Sequence, residues 1–437
     1  MICKLDYYSN INKGGAFRVL DKIQGGIFGL AIGDALGCST EDMSVDEIIK
    51  EYGKVTDFVI NVVTLMLEEA MDDTEMTFAV VKGIMANAKD PIQEIGKQFI
   101  YWIKTNPLVS SRRLEEVISN YNGDWFQAAE RIHYEFDELS AGNGSLVRCL
   151  PIVLAYSDIK KIDELTVLQS KMTHFDDLAA EACVIYNRIA KRLLDNENLK
   201  TAIQTEIKNT RYESDYLDEP DCPPDGYVVH TMRWGLYWLL NCDTFEEVVV
   251  GATNMGGDSN TIAALAGGLK GIDVGFKQLP VKYKNNVPFY EKLLNYSDIL
   301  YEIRDQDTKI LRENVKNYLT QLQIETKKLD KFLSQNAIPS DVAELLESIR
   351  KNNSLIGIAI NEEESNFERK YDIWLQTKLR YRRVMHLFDL NAFPGKIRNE
   401  LESFDFMVNL LNLIFDGFEK KVPRETVKRI NSSLIKY

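Results

Sequence analysis

Gly25, Gly29 and Gly33 fall four residues apart in the run Gly25-Gly26-Ile27-Phe28-Gly29-Leu30-Ala31-Ile32-Gly33-Asp34-Ala35-Leu36-Gly37, and no other feature of the chain constrains its fold as much. On a helix these positions share one face, and a face without side chains admits another backbone at close range. Glycine costs a helix about 1 kcal/mol against alanine, so a helix with this many needs tight packing or a ligand to justify them. The spacing alone allows either. The run ends at Gly37 and is soon followed by Glu41, which by itself reads as a surface carboxylate.

Helical periodicity dominates elsewhere. Leu114–Tyr134, Ile162–Arg192 and Phe245–Val250 repeat apolar residues three and four apart, as do Leu311, Val315, Leu319 and Leu322. Strand-like alternation is scarce; Tyr227-Val228-Val229 has the composition of a short strand but leads into a helical pattern ending near Leu240. The expected class is all-α: a leader over residues 1–19, a compact multi-helix domain over 20–299 and a helical C-terminal region over 300–437. The later division rests on glycine, since 22 of the 25 lie before residue 300 and the remainder reads as plain helix.

With 437 residues and a net charge of −14, the chain reads as one large domain plus an appendage, not as a general nucleic-acid binder. Lys378, Arg380, Arg382 and Arg383 near Tyr371, Trp374 and Tyr381 form a basic and aromatic cluster, but Glu362-Glu363-Glu364 nearby favours a solvated helix face. This C-terminal region is also a candidate for binding a protein partner. Six scattered cysteines without a CxxC pair read as free thiols in a reducing compartment. The opening MICKLDYYSN lacks a basic segment followed by an apolar one, and the run from Gly25 to Gly37 is too short to span a bilayer. A cytoplasmic location without a membrane partner is expected; delivery into another cell by a machine that needs no such signal stays open.

Four further segments carry chemistry. Asp72-Asp73-Thr74 follows Met71 and opens an apolar helix, where carboxylates either cap free amides or offer hard oxygens to a cation. Gly256-Gly257-Asp258-Ser259-Asn260-Thr261 is a glycine turn expected to present exposed amides, followed by oxygen-bearing side chains at the mouth of a small-residue helix. Oxygen donors without His or Cys suit magnesium, manganese or calcium better than zinc. Gly142-Asn143-Gly144-Ser145, with Arg148 beyond it, is a polar loop suited to a phosphate or a ribose, or else an ordinary turn. Thr173-His174 precedes a helix expected over Asp176–Arg188.

In order and spacing, these segments resemble the ADP-ribosylglycohydrolase family. The family pattern runs G-x-x-x-G-x-A-x-G-D-A-L-G-x-x-x-E, T-D-D-T, N-G-[SA]-x-x-R, T-H and G-G-D-x-D-T, and all five have counterparts across roughly residues 20–275. The resemblance implies an all-α hydrolase that releases ADP-ribose from a modified protein side chain or a small conjugate. It implies one or two magnesium ions, with manganese as a substitute, held by Asp72, Asp73, Asp258, Asn260 and Thr261. Glu41 and Asp73 take the catalytic positions. Asp34, Gly142, Asn143, Gly144, Ser145, His174, Gly256, Gly257 and Ser259 take ligand-binding ones. Two positions depart from the pattern: Met71 replaces the first Thr of T-D-D-T, and Asn260 replaces the second Asp of G-G-D-x-D-T. The first loses a hydroxyl ligand and the second a negative charge, so one strong and one weakened metal site are expected. The alternative is a catalytically impaired protein that keeps the pocket and binds ADP-ribose.

Overall fold

The glycines of the first motif meet a second set of small residues. The computed structural model describes residues 2–59, 71–105, 112–136, 140–213 and 218–309, with single residues 327, 331 and 347. In it, helix α1 (Ile2–Gly37) lies along a helix spanning Ser259–Val274. A Cβ placed on Gly25 would stand 2.1 Å from the Gly271 carbonyl oxygen, one on Gly29 2.2 Å from that of Gly267, and one on Gly33 2.1 Å from that of Ala263. A Cβ on Gly37 would meet the Asn260 Cα at 2.3 Å. Partner numbers fall as those along α1 rise, so the two helices run antiparallel with their backbones in contact. Packing therefore accounts for the glycine spacing, and it brings the end of α1 against the start of the other helix.

Between these two lie α2 (Val45–Tyr52), α3 (Asp72–Ala86), α4 (Ile92–Thr105), α5 (Arg112–Asn120), α6 (Trp125–Glu135) and the short α7 (Gly144–Val147) and α8 (Leu150–Ala155). α9 (Ile159–Lys171), α10 (Asp177–Leu194), α11 (Leu199–Ile207), α12 (Val228–Asn241) and α13 (Phe245–Thr253) follow. The Ser259–Val274 helix is α14, and α15 (Val281–Lys284) precedes helical residues 290–309. Among the described residues there is no strand, only an isolated antiparallel bridge between Gly142 and Tyr227. The chain is all-α, as expected.

Local chemistry sets the helix boundaries. Ser44 with Glu47, and Thr244 with Glu247, form capping boxes at the starts of α2 and α13. The periodic stretch Leu114–Tyr134 is two helices, because Asp124 caps α6 through the Phe126 and Gln127 amides. Asp176 likewise splits Ile162–Arg192 by capping α10, while Asp158 caps the start of α9. α4 buries Ile92, Ile95, Phe99 and Trp102, one apolar stripe of an amphipathic helix. α14 is buried along all of Ser259–Ile272, the condition of a central helix.

The chain divides into two compact units, Met1–Thr308 and Lys309–Tyr437. Residues 2–19, set apart as a leader by sequence, are helical and continue without a break into α1. Nearly all of the second unit lies outside the described residues, including the stripe Leu311–Leu322 and the basic and aromatic cluster around Arg380. No helix among the described residues is long and apolar enough to cross a membrane.

Candidate active site

Three chain segments meet where α1 ends and α14 begins. Beyond Gly37 the chain turns through Thr40, whose Oγ1 lies 2.7 Å from the Thr253 carbonyl oxygen and 2.9 Å from Ser259 Oγ. The Glu41 loop is then clamped to the glycine turn in both directions: the Asp42 amide donates to the Gly257 carbonyl at 2.9 Å, and the Gly257 amide donates to Met43 at 2.9 Å. Gly256 (φ 70°) and Gly257 (φ 59°) both adopt the left-handed region, and a Cβ on either would stand 2.1 Å from a backbone oxygen, of Met43 or of Pro224. The Asp258 amide donates to Pro224 at 2.8 Å. The expectation that this turn presents exposed amides is therefore corrected at Gly257 and Asp258. Their N–H groups hold the Glu41 loop and the 224–226 segment in place.

α3 supplies the third segment. Its N-cap residue, Met71, has no side-chain cap and is fully buried in the core. The cap comes from α1 instead: Asp34 Oδ2 accepts from the Thr74 amide at 2.9 Å and from Thr74 Oγ1 at 2.5 Å. This bond draws Asp72 and Asp73, in the first turn of α3, toward the start of α14. Thr261 makes hydrogen bonds to both Asp73 and Asp258, and the Asn260 side chain bonds Glu41. Asn143 spends its amide hydrogens on Asp258 Oδ2 at 2.5 Å and Thr231 Oγ1 at 2.9 Å.

The electrostatics are those of crowded anions. Burial, then the Asp72 charge, pushes the Asp34 carboxyl up to about 8. Glu41 is exposed at the mouth, yet the protein mass on its inner side removes enough water to lead its rise to about 7, followed by Asp72, Asp258 and Asp42. Asp73 is pushed well above the usual range by burial, Asp72, Asp34 and Asp258. Burial also raises Asp72 and Asp258. Among the described residues, two buried oxygens in the cluster, Asp73 Oδ2 and Asn260 Oδ1, meet no hydrogen-bond partner. Mutually raised carboxylates and orphaned oxygens fit a divalent cation, because positive charge relieves the first and coordination satisfies the second. Among the described residues no three His, Cys, Asp or Glu side chains converge closely enough to grip an ion by themselves. A cation here would also draw on Asn260, Thr261 and water.

A second group flanks this cluster. The loop at Gly142 is pinned by the Asn143 amide to the Gly226 carbonyl (3.1 Å) and by the Val228 amide to the Ala141 carbonyl (3.0 Å). His174 stands against the loop, with Nε2 3.2 Å from where a Cβ of Gly142 would lie. A side chain in place of Gly142 would crowd the imidazole.

The family model for ADP-ribosylglycohydrolases matches residues 17–309, the first compact unit almost end to end. The chain belongs to the ADP-ribosylglycohydrolase family. Members are hydrolases acting on glycosidic bonds of ADP-ribose, and the family uses divalent metal ions. An ADP-ribosyl-[dinitrogen reductase] glycohydrolase from Rhodospirillum rubrum is 30% identical over 267 residues, 60% of this chain and 88% of that protein. An ADP-ribosylarginine hydrolase from Pseudomonas putida is 23% identical over 300 residues, 65% of this chain and 79% of its own length. An ADP-ribosylhydrolase from Homo sapiens is 21% identical over 339 residues, 64% of this chain and 92% of that protein. A solved structure titled ADP-ribosylglycohydrolase-related protein complex shares the fold, with a TM-score of 0.55, 23% identity, and coverage of 65% of this chain and 99% of its own.

Of the residues expected at an ADP-ribosylglycohydrolase site, Glu41, Asp72, Asp73, Asp258, Asn260 and Thr261 gather in one place, with Gly142, Gly144 and His174 beside them. Three others are turned inward. Asp34 is fully buried as the cap of α3. Ser259 is fully buried, its hydroxyl 3.2 Å from the Gly37 carbonyl oxygen. Ser145 is fully buried, its hydroxyl 2.9 Å from that of Ser170. These side chains shape the site by fixing backbone, and that corrects their expected place among ligand contacts. Thr40 and Thr231 are part of the framework without having been singled out, and Thr74, quoted only as part of its motif, joins them by binding Asp34.

Proposed function

We propose that this chain is a magnesium-dependent hydrolase that releases ADP-ribose from a modified protein side chain or a small ADP-ribose conjugate. One observation carries the reading. Five carboxylates, two unpartnered buried oxygens and the glycine loop with His174 meet at the junction of α1, α3 and α14. Asp72, Asp73 and Asp258, with the oxygens of Asn260 and Thr261, would hold the cation, and a hard all-oxygen set suits magnesium or manganese. Bound there, a divalent cation polarises ribose oxygens and lowers the pKa of water.

Cleavage at the anomeric carbon develops positive charge on the ribose, which the anionic cluster favours. Glu41 is the most exposed carboxylate of the group, and its carboxyl, raised to about 7, can take and return a proton near neutral pH. Asn260 bonds that carboxyl and Asn143 bonds Asp258, so neither carboxylate is left to swing. His174 and the Gly142–Gly144 backbone offer donors for the phosphate and ribose oxygens. The second compact unit is proposed as a separate region whose partner is a protein.

The second reading, ADP-ribose binding without turnover, has one observation in its favour: Asn260 supplies an amide where the family pattern has a carboxylate. Met71 does not strengthen it, since its side chain is buried in the core. Release of ADP-ribose from arginine- and serine-linked substrates, with and without magnesium, separates the two. Product formed only with the cation supports the hydrolase. Binding without product supports the second reading, and Asn260→Asp should then create activity.

A further inference from the structure

We infer that Asn260 is a positioning residue for Glu41: the amide nitrogen holds Glu41 and the amide oxygen is left for the cation, a double role closed to the carboxylate of the family pattern. This rests on the proposed function, in which Glu41 moves the proton and the cluster holds a cation. Backbone contacts put the two side chains together. A Cβ on Gly37 would stand 2.3 Å from the Asn260 Cα and 2.6 Å from its backbone nitrogen, so α1 ends directly on Asn260, with Glu41 in the turn just beyond. The neighbours of both residues are pinned. Ser259 Oγ lies 2.9 Å from Thr40 Oγ1 and 3.2 Å from the Gly37 carbonyl oxygen, and Thr261 bonds Asp73 and Asp258. Past Glu41, Asp42 takes a φ of 60° and its amide donates to the Gly257 carbonyl at 2.9 Å. Asn260 itself is only 2% exposed.

The two ends of the amide have different partners. Oδ1 is buried and meets no partner among the described residues, while the side chain bonds Glu41. The bonding atom is therefore Nδ2, which donates to the carboxylate. The reverse orientation would set an amide oxygen against a carboxylate oxygen, two acceptors without a proton between them. A carboxylate at position 260 would likewise have nothing to donate. It would add a sixth anion to Asp34, Glu41, Asp72, Asp73 and Asp258, in contact with Glu41 and repelling it. The same exchange would give a cation a charged ligand in place of a neutral one, and affinity for hard cations rises with ligand charge. Asn260 thus weakens the grip on the cation while it places Glu41. These effects have opposite signs, which a residue that only supported the fold would not produce.

Asn260→Asp in the full-length chain tests this with two readouts. Manganese titrated into the ligand-free protein by calorimetry should bind more tightly than to the wild type. Release of ADP-ribose at saturating magnesium, from whichever of the arginine- and serine-linked substrates the wild type cleaves, should show kcat lower by about tenfold or more with KM little changed. That is the scale of one hydrogen bond to a charged group. Weaker manganese binding, or a kcat that stays level or rises, would overturn the inference. A third measurement needs no turnover and serves even if Asn260→Asp folds poorly. Without cations, Asn260→Asp should lower Tm, and adding Glu41→Gln, which exchanges amide and carboxylate between the two positions, should recover most of the loss. No recovery in the exchanged pair would overturn the inference. A wild type that binds ADP-ribose and releases none would instead defeat the proposed function, and there Asn260→Asp should create activity where the present inference has it lost.

Discussion

Removing divalent cations should destabilise the first compact unit, and the loss should grow with pH. Asp34 shows why. Its carboxyl rises from an ordinary 3.8 to about 8 in the fold, through burial and the neighbouring Asp72 charge. Between those two values the cation-free folded state binds a proton that the unfolded chain does not, so stability is highest below the unfolded pKa and falls as pH rises through about 8. The difference corresponds to at most about 6 kcal/mol for holding Asp34 ionised without a counter-charge. With about 2.1 cal/mol/K of unfolding entropy per residue, a unit ending at Thr308 would lose at most about 9 °C in Tm. A cation among Asp72, Asp73 and Asp258 offsets the Asp72 charge, which after burial is the next cause of the Asp34 rise, so binding should release protons and raise Tm. Thermal melts with magnesium or with a chelator, from about pH 5 to about pH 8.5, read this directly. The two curves should nearly meet at the acid end and diverge toward the alkaline end. A constant gap across that range, or no gap anywhere, would refute the linkage between the carboxylate cluster and the cation.

Two substitutions probe other links. Glu41→Gln should lower turnover by more than about 100-fold, within the usual range for removing a general acid or base, while ADP-ribose affinity by calorimetry changes little; normal turnover would make Glu41 structural. Gly33→Ala should lower Tm although alanine is the better helix former by about 1 kcal/mol, because its Cβ would meet the Ala263 carbonyl oxygen at 2.1 Å and overpacking costs typically about 1–3 kcal/mol. A Tm raised by Gly33→Ala would mean that α1 and α14 separate more easily than their contact implies.

Much of this arrangement is legible in the sequence, and the remainder is hidden for physical reasons. The all-α class follows from periodicity, and the small-residue face of α1 from the spacing of Gly25, Gly29 and Gly33. What spacing does not show is the partner: that Gly29 meets Gly267 and Gly25 meets Gly271 is a tertiary fact, although both runs of small residues are visible. Asp72, Asp73 and Asp258 stand out as oxygen donors, yet a motif match does not separate side chains that face a ligand from those that hold the backbone. Asp34, Ser145 and Ser259 sit inside motifs and turn inward, because a tight site has to satisfy its own helix ends first. The Gly256-Gly257 turn is legible as a turn, but the partners of its amides, Met43 and Pro224, lie far away in sequence or carry no motif. Met71 shows the reverse case. Read alone it is a lost hydroxyl ligand; in the fold it packs in the core while Asp34 provides the cap.

In the proposed function, carboxylates from the starts of α3 and α14 hold a divalent cation at the mouth of an ADP-ribose site. Anomalous diffraction from crystals soaked in manganese measures this most directly. A peak is expected between Asp72, Asp73 and Asp258, on the side of the cluster where Asp73 Oδ2 and Asn260 Oδ1 lack partners among the described residues. A cluster that gathers no manganese at millimolar concentration, its carboxylates paired with protons instead, would contradict it.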